Sequence, residues 1–206
     1  MPVSETLYPV GLVVAGKRVV VVGGGTVAAR KVEALVDAGA RVTVVAPAIG
    51  AEVRRLPVDL VERPYRTGDL EGAWLAIAAT DDPEVNHLVH ADGQGARVWV
   101  NAADDPAACD FTLPAVLRRG PVSVAVSTGG RSPALAGWLR DQVAAQLGDE
   151  IGQLAEMLSE ARDELQAAGR STEGLDWRRA LDSDMLDLIR KGRMAQARER
   201  LQACLS

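Results

Sequence analysis

Through the first 110 positions, β-branched runs alternate with stretches in which apolar residues recur every three or four. Lys17–Val22 holds four consecutive valines, an unbroken apolar run that predicts a strand buried on both faces. Gly23-Gly24-Gly25 predicts a turn. Thr26–Ala38 predicts a helix with Val27, Lys31, Ala34, Leu35 and Ala38 at helical spacing, and Gly39 stops it. Arg41–Ala46 predicts a second strand, closed by Pro47. Val58–Glu62, Trp74–Ala79 and Val98–Val100 predict three more, and Pro83–Ala91 a helix with its proline in the permitted first turn. Such alternation is the pattern of an α/β chain with a Rossmann-type, doubly wound parallel sheet.

After Asp110 the pattern changes. Phe111–Leu117 and Val122–Ser127 are β-type runs separated by Arg118-Arg119-Gly120-Pro121, a turn signal. Strands so close in sequence pair with each other in antiparallel fashion, or with something outside the first sheet. Ser132-Pro133 opens a helix with a serine cap and a first-position proline; Leu135, Trp138, Leu139, Gln142 and Val143 fall along one of its faces. From Asp149 onward the pattern is helical, broken at Gly169–Gly174 and near Asp182 and Gly192. The expected organisation is a dinucleotide domain over residues 1–113, a small α+β segment over 114–150 and a helical tail over 151–206.

Composition narrows the classes. A 206-residue chain with 48% hydrophobic and 25% charged residues carries enough apolar surface to fold. The uncharged run Val19–Ala29 is about half of the roughly 20 residues a membrane span needs, so no membrane segment is expected. Residues 1–8 lack the basic and apolar regions of a signal peptide. Cys109 and Cys204 form no disulfide framework, and a reducing cytoplasm is the simplest address. The net charge is −5, but Phe111–Arg140 holds Arg118, Arg119, Arg131 and Arg140 with no carboxylate. Isolated arginines in an acidic chain suit a small polyanion through two-pronged pairing with carboxylates, or serve as surface residues for solubility; they do not suit duplex nucleic acid.

Gly23-Gly24-Gly25-Thr26-Val27-Ala28 matches the G-x-G-x-x-G/A dinucleotide fingerprint, and it stands between a strand and a helix as that motif requires. Gly23 permits the tight turn, Gly25 leaves room for a pyrophosphate, and Ala28 allows close helix packing. The N–H groups of Thr26 and Val27 then face the phosphates. The acid or arginine that usually reads the ribose some 20 positions later is missing from Val44–Ala48. Pro47 and Ala48 offer backbone groups there, and the choice between NAD and NADP stays open. Thr80-Asp81-Asp82 and Asn101–Asp105 follow two strands at the C-terminal edge, where ligands bind in open α/β sheets. Asp81, Asp82 and Asp105 read as turn-makers. Ser127–Pro133 is a glycine loop with a basic residue feeding a helix, suited to an anion.

Other chemistries drop out. Neither Tyr8 nor Tyr65 is followed four later by lysine, so there is no Tyr-x-x-x-Lys pair. His87 and His90 share a helix face without a third ligand nearby, which leaves them as surface residues and the chain without a metal site.

The glycine turn, Ala78-Ala79-Thr80-Asp81-Asp82 with Asn86, Val100–Asp104, Phe111 with Pro114, and Val124–Pro133 together resemble one family in order and spacing. That family is precorrin-2 dehydrogenase/sirohydrochlorin ferrochelatase, the N-terminal module of sirohaem synthases, here in what reads as its stand-alone form. The resemblance runs from about Pro9 to Leu147. It implies NAD as cofactor, bound by Gly23, Gly24, Gly25, Thr26, Val27, Pro47, Ala48 and Thr80. It implies a tetrapyrrole substrate with eight carboxylates, precorrin-2, oxidised to sirohydrochlorin, into which some members insert ferrous iron. Asp104 matches the family's catalytic aspartate; Asn101, Thr128, Gly129, Gly130, Arg131 and Arg118 fall to the substrate. The resemblance sets Thr128 at a position where a member can carry serine. The resemblance also implies a homodimer with exchanged segments. A competing class is a non-catalytic dinucleotide-binding redox regulator, in which Asp104 would have no task.

Overall fold

The computed structural model describes residues 7–103 and 105–205. The four-valine run forms the central strand, β1 (Arg18–Val22), and each of its valines is at most 2% exposed. It pairs in parallel with β2 (Arg41–Ala46) on one side and β4 (Leu75–Ala78) on the other. β3 (Asp59–Glu62) extends the sheet beyond β2, and β5 (Trp99–Ala102) extends it beyond β4. The order is β3-β2-β1-β4-β5, all parallel, as the alternating pattern predicts.

Successive side chains of β1 face opposite sides, and each side has its own helices. Val21, Val44 and Ile77 pack with Ala28, Ala29 and Val32 of α1 (Thr26–Asp37) and with Val53 of α2 (Ala51–Arg54). Val20, Val22, Ala76 and Val100 pack on the other face with Val89 of α3 (Pro83–Ala96). Removal of each such valine side chain from water contributes roughly 1.5–3 kcal/mol, which is why the run tolerates no polar interruption.

Three elements depart from expectation. α3 runs to Ala96, past the expected end at Ala91, because Gly93 is where the helix presses on β5. A Cβ at Gly93 would overlap Val100 Cγ2 and come within 2.9 Å of the Val98 carbonyl oxygen. Arg97, in the left-handed conformation at φ 56°, ends the helix. The single-turn α2 carries too few residues for a periodic signal. Arg118 and Arg119 belong to a strand, so the turn shrinks to Gly120-Pro121. We expect Gly93→Ala to destabilise the chain by about 1–3 kcal/mol through overpacking, measured by denaturant unfolding, although alanine is the better helix former.

The chain divides into two compact units, one reaching to Leu113 and including Gly129–Arg131, the other made of Pro114–Thr128 and the chain from Ser132 onward. In the second, β6 (Ala115–Arg119) and β7 (Val122–Val126) form an antiparallel hairpin of their own. α4 (Pro133–Ala144) follows, with Ser132 Oγ accepting the Leu135 N–H at 3.1 Å as the cap and Pro133 in the first turn. Leu135 and Trp138 stand exposed on α4, the latter at 57%. α5 (Glu150–Ala167), α6 (Trp177–Leu181), α7 (Met185–Arg190) and α8 (Met194–Leu205) enclose a core of Leu154, Met157, Met185, Ile189, Leu201 and Leu205. Among the described residues no helix is long and apolar enough to cross a membrane.

Candidate dinucleotide site

The turn between β1 and α1 uses its three glycines for three different purposes. Gly23 sits at φ 125°, and a Cβ there would overlap the Ala79 carbonyl oxygen, so the turn lies against the loop that follows β4. Its N–H donates to Val45 O at 3.0 Å. Gly24 packs in the same way on the loop after β2. A Cβ would overlap Ala48 O and lie 2.9 Å from Ile49 Cα, while Gly50 N–H donates to Gly24 O at 2.9 Å. Gly25 is different. A Cβ on Gly25 would meet no atom within 4 Å, and the residue is exposed as the N-cap of α1.

The N–H groups of Thr26 and Val27 take no partner among the described residues. They open outward at the positive end of the α1 dipole, beside the space over Gly25. Ala28 is fully buried against Val21 and Ile77, which brings the helix start close to the sheet. A turn of this shape can hold a pyrophosphate: it has room at Gly25, open donors beside it, and rigid walls from Gly23 and Gly24. The residues present fit a dinucleotide. The middle glycine's role, packing on Ala48, is a long-range contact that local spacing does not reveal.

The neighbouring loops are pinned by side chains. Thr80 Oγ1 lies 2.8 Å from Asn86 Oδ1, and Asn86 Nδ2 donates back to Thr80 O at 3.0 Å, so buried Asn86 ties the loop after β4 to α3. Asp82 caps α3, accepting from Glu84 and Val85 N–H, which is the turn-making role expected of it. Pro47 and Ala48 are exposed past the end of β2. Arg54 reaches back to this loop, its Nε donating to Ile49 O at 3.1 Å, and its other two nitrogens hold Glu62 at 2.9 and 2.6 Å. The hydrogen bond from Arg54 holds the Glu62 carboxyl below the usual carboxylate range.

At the end of β5, Asn101 is buried, and its amide nitrogen donates to Phe111 O at 2.8 Å and contacts Cys109 Sγ at 3.4 Å. The Cys109 sulfur lies 3.2 Å from both Ala102 O and Asp105 O, and burial pushes its thiol pKa up. Asp105 accepts from Ala107 N–H at the start of a 3-10 turn, Pro106–Ala108. It also lies 2.9 Å from His87 Nε2, a hydrogen bond that lowers its pKa. Asn101 and Asp105 therefore shape this strand end from within. Asp104 lies outside the described residues. His90 stands 3.8 Å from Asp110, so the two histidines face different aspartates. Among the described residues no three His, Cys, Asp or Glu side chains gather as a metal site.

Between β7 and α4, Thr128 Oγ1 accepts the Ser132 N–H and donates to Ser132 O, both at 3.0 Å, closing the loop over Gly129 and Gly130, which sit at φ 61° and 74°. Of the four arginines in Phe111–Arg140, Arg119 is engaged with Leu147 O and Asp149, and Arg140 with Asp141. Arg118 and Arg131 are exposed. They show no acidic partner among the described residues.

Comparison with known proteins matches two stretches of the chain to family models. A family model described as "Putative NAD(P)-binding" matches residues 10–115, and one described as "Sirohaem biosynthesis protein central" matches residues 119–146. Siroheme synthase 3 of Aeromonas hydrophila subsp. hydrophila is 37% identical over 190 residues, covering 89% of this chain and 41% of that protein. The siroheme synthase of Psychrobacter sp. is 33% identical over 201 residues, 95% of this chain and again 41% of the relative. The chain thus spans well under half the length of these relatives. Among solved structures, one titled "SirC, precorrin-2 dehydrogenase" superposes with a TM-score of 0.70 at 27% identity, covering 96% of this chain and 98% of the other. With its glycine turn inside the first match, which spans just over half of the sequence, the chain belongs to the family of that model, the putative NAD(P)-binding family.

Proposed function

We propose that this chain oxidises precorrin-2 to sirohydrochlorin with NAD, as an oxidoreductase of sirohaem biosynthesis. The observation that carries it is the near full-length likeness, in both directions, to the precorrin-2 dehydrogenase structure, joined to a turn that fits a dinucleotide. Bound NAD supplies the hydride acceptor. The chain supplies the rest: Gly25, Thr26 and Val27 hold the pyrophosphate, Pro47 and Ala48 flank the ribose, and Thr80, tied to Asn86, shapes the loop beside the nicotinamide. Asp104 takes the proton that leaves the substrate alongside the hydride, so that one hydride and one proton are accounted for. Arg118 and Arg131 pair with the carboxylates of the tetrapyrrole; Asn101, Thr128, Gly129 and Gly130 shape the loops around it.

The test is anaerobic: purified chain, precorrin-2 generated in situ and NAD, with NADH and the tetrapyrrole spectrum followed together. NADH and sirohydrochlorin appearing in step support the proposal; no NADH with either NAD or NADP overturns it and leaves a redox regulator. Ferrous iron is then added. A further spectral shift faster than without protein marks insertion of iron as a second activity on the same product.

The working form in this proposal is a cytoplasmic homodimer with exchanged segments. Leu135 and Trp138 leave an apolar face of α4 open to solvent, of the kind a second copy covers. We expect Trp138→Glu to convert a dimer to a monomer in sedimentation velocity at micromolar concentration. A parent chain that sediments as a monomer overturns the assembly.

A further inference from the structure

We propose that the Arg54–Glu62 pair sets the choice of NAD over NADP, with Glu62 the residue that excludes the 2′-phosphate. The inference rests on the dinucleotide reading of the glycine turn and deepens it. In dinucleotide folds the adenosine ribose is read at the end of the second strand, by an acid that accepts from its 2′-hydroxyl or an arginine that takes its 2′-phosphate. Here β2 ends at Ala46, and Val44–Ala48 holds neither. The charges at this position come from elsewhere in the fold. Glu62, the last residue of β3, is the register partner of Ala46, so the two strands end side by side. Arg54 arrives from α2, with its Nε on Ile49 O at 3.1 Å. That loop is in turn fixed to the phosphate turn, through Gly50 N–H to Gly24 O at 2.9 Å. One hydrogen-bonded chain thus links the pyrophosphate turn to the loop and the guanidinium.

The guanidinium is the group a 2′-phosphate needs, and it is already committed. Its two terminal nitrogens hold the two oxygens of Glu62 at 2.9 and 2.6 Å in a two-pronged pair. The pair has no net charge, so it offers no attraction to a 2′-phosphate carrying about two negative charges. Such a phosphate must displace the Glu62 carboxylate from Arg54 and then lie beside it, like charge against like. NAD, with a neutral 2′-hydroxyl, meets neither obstacle. Glu62 acts from 16 positions beyond Ala46, which is why a reading confined to the second strand leaves the choice open.

The experiment is calorimetric titration of the full chain with NAD and with NADP, for the parent, Glu62→Gln, Arg54→Ala and the double variant, with thermal unfolding of each. Both side chains are nearly half exposed, so the variants are expected to fold. The parent should bind NAD more tightly. Glu62→Gln should shift the NADP-to-NAD affinity ratio toward NADP by about tenfold or more. The double variant should lose that gain, because the released guanidinium produces it. An unchanged ratio in Glu62→Gln, a gain that survives in the double variant, or a parent that prefers NADP overturns the proposal. A parent that binds neither nucleotide overturns the dinucleotide reading, and this proposal falls with it.

Discussion

A Gly25→Asp variant will fold as well as the parent and lose its dinucleotide. A Cβ at this position meets no atom within 4 Å, and the residue's φ of −86° suits any L side chain, so nothing in the protein resists the substitution. Aspartate is in fact the better N-cap: its carboxylate accepts from the first-turn N–H groups and lies at the positive end of the helix dipole, worth a few tenths of a kcal/mol over glycine. The same carboxylate occupies the space the pyrophosphate needs and engages the donors of Thr26 and Val27. We expect NAD affinity to fall on the order of a hundredfold or more, about 2.7 kcal/mol, in calorimetric titration, with a melting temperature equal to the parent's or slightly higher. Gly23→Ala and Gly24→Ala should behave in the opposite way. Their Cβ atoms collide with the carbonyl oxygens of Ala79 and Ala48, so they lose stability before affinity is at issue. A Gly25→Asp protein that still binds NAD places the nucleotide elsewhere.

The contrast among adjacent glycines shows what local sequence can and cannot carry. A glycine-rich turn between a valine run and a helix-spaced run is legible, because both flanking periodicities are local. The parallel sheet is legible for the same reason, each strand being a short apolar run bounded by turn residues. What Gly24 packs on is not, because Ala48 belongs to a loop that only the fold brings alongside. The far end of α3 escapes for a related reason: Gly93 lies against Val100 of β5, a partner that only the fold brings alongside the helix. The four arginines of Phe111–Arg140 are identical by composition, yet the fold engages Arg119 and Arg140 and leaves Arg118 and Arg131 exposed. Glu62 is the clearest case. No motif marks it, and its relevance to the ribose exists only because β3 ends beside β2.

An Asp104→Asn variant should retain NAD binding and lose turnover. The exchange is close to isosteric, and the groups assigned to the pyrophosphate lie in the turn after β1, so the dinucleotide should bind with parent affinity. What asparagine cannot do is accept a proton from the substrate as the hydride leaves. Proton transfer by a positioned side chain contributes roughly 10²–10⁴-fold, and a loss of that size is expected in the anaerobic rate of NADH appearance. The neighbouring position supplies the control. Asp105 caps the Pro106–Ala108 turn and pairs with His87 at 2.9 Å, and both are contacts within the protein. Asparagine is a capable cap in its own right. Asp105→Asn should therefore cost a fraction of the turnover that Asp104→Asn costs, and what it loses should appear as a lower melting temperature. Equal losses at the two positions would mean that the carboxylates act by shaping the strand end together. A redox regulator would show neither loss, because sensing through a bound dinucleotide asks nothing of a proton acceptor. Asp104→Asn with undiminished turnover would move the proton to another group, and with it the chemistry away from this strand end.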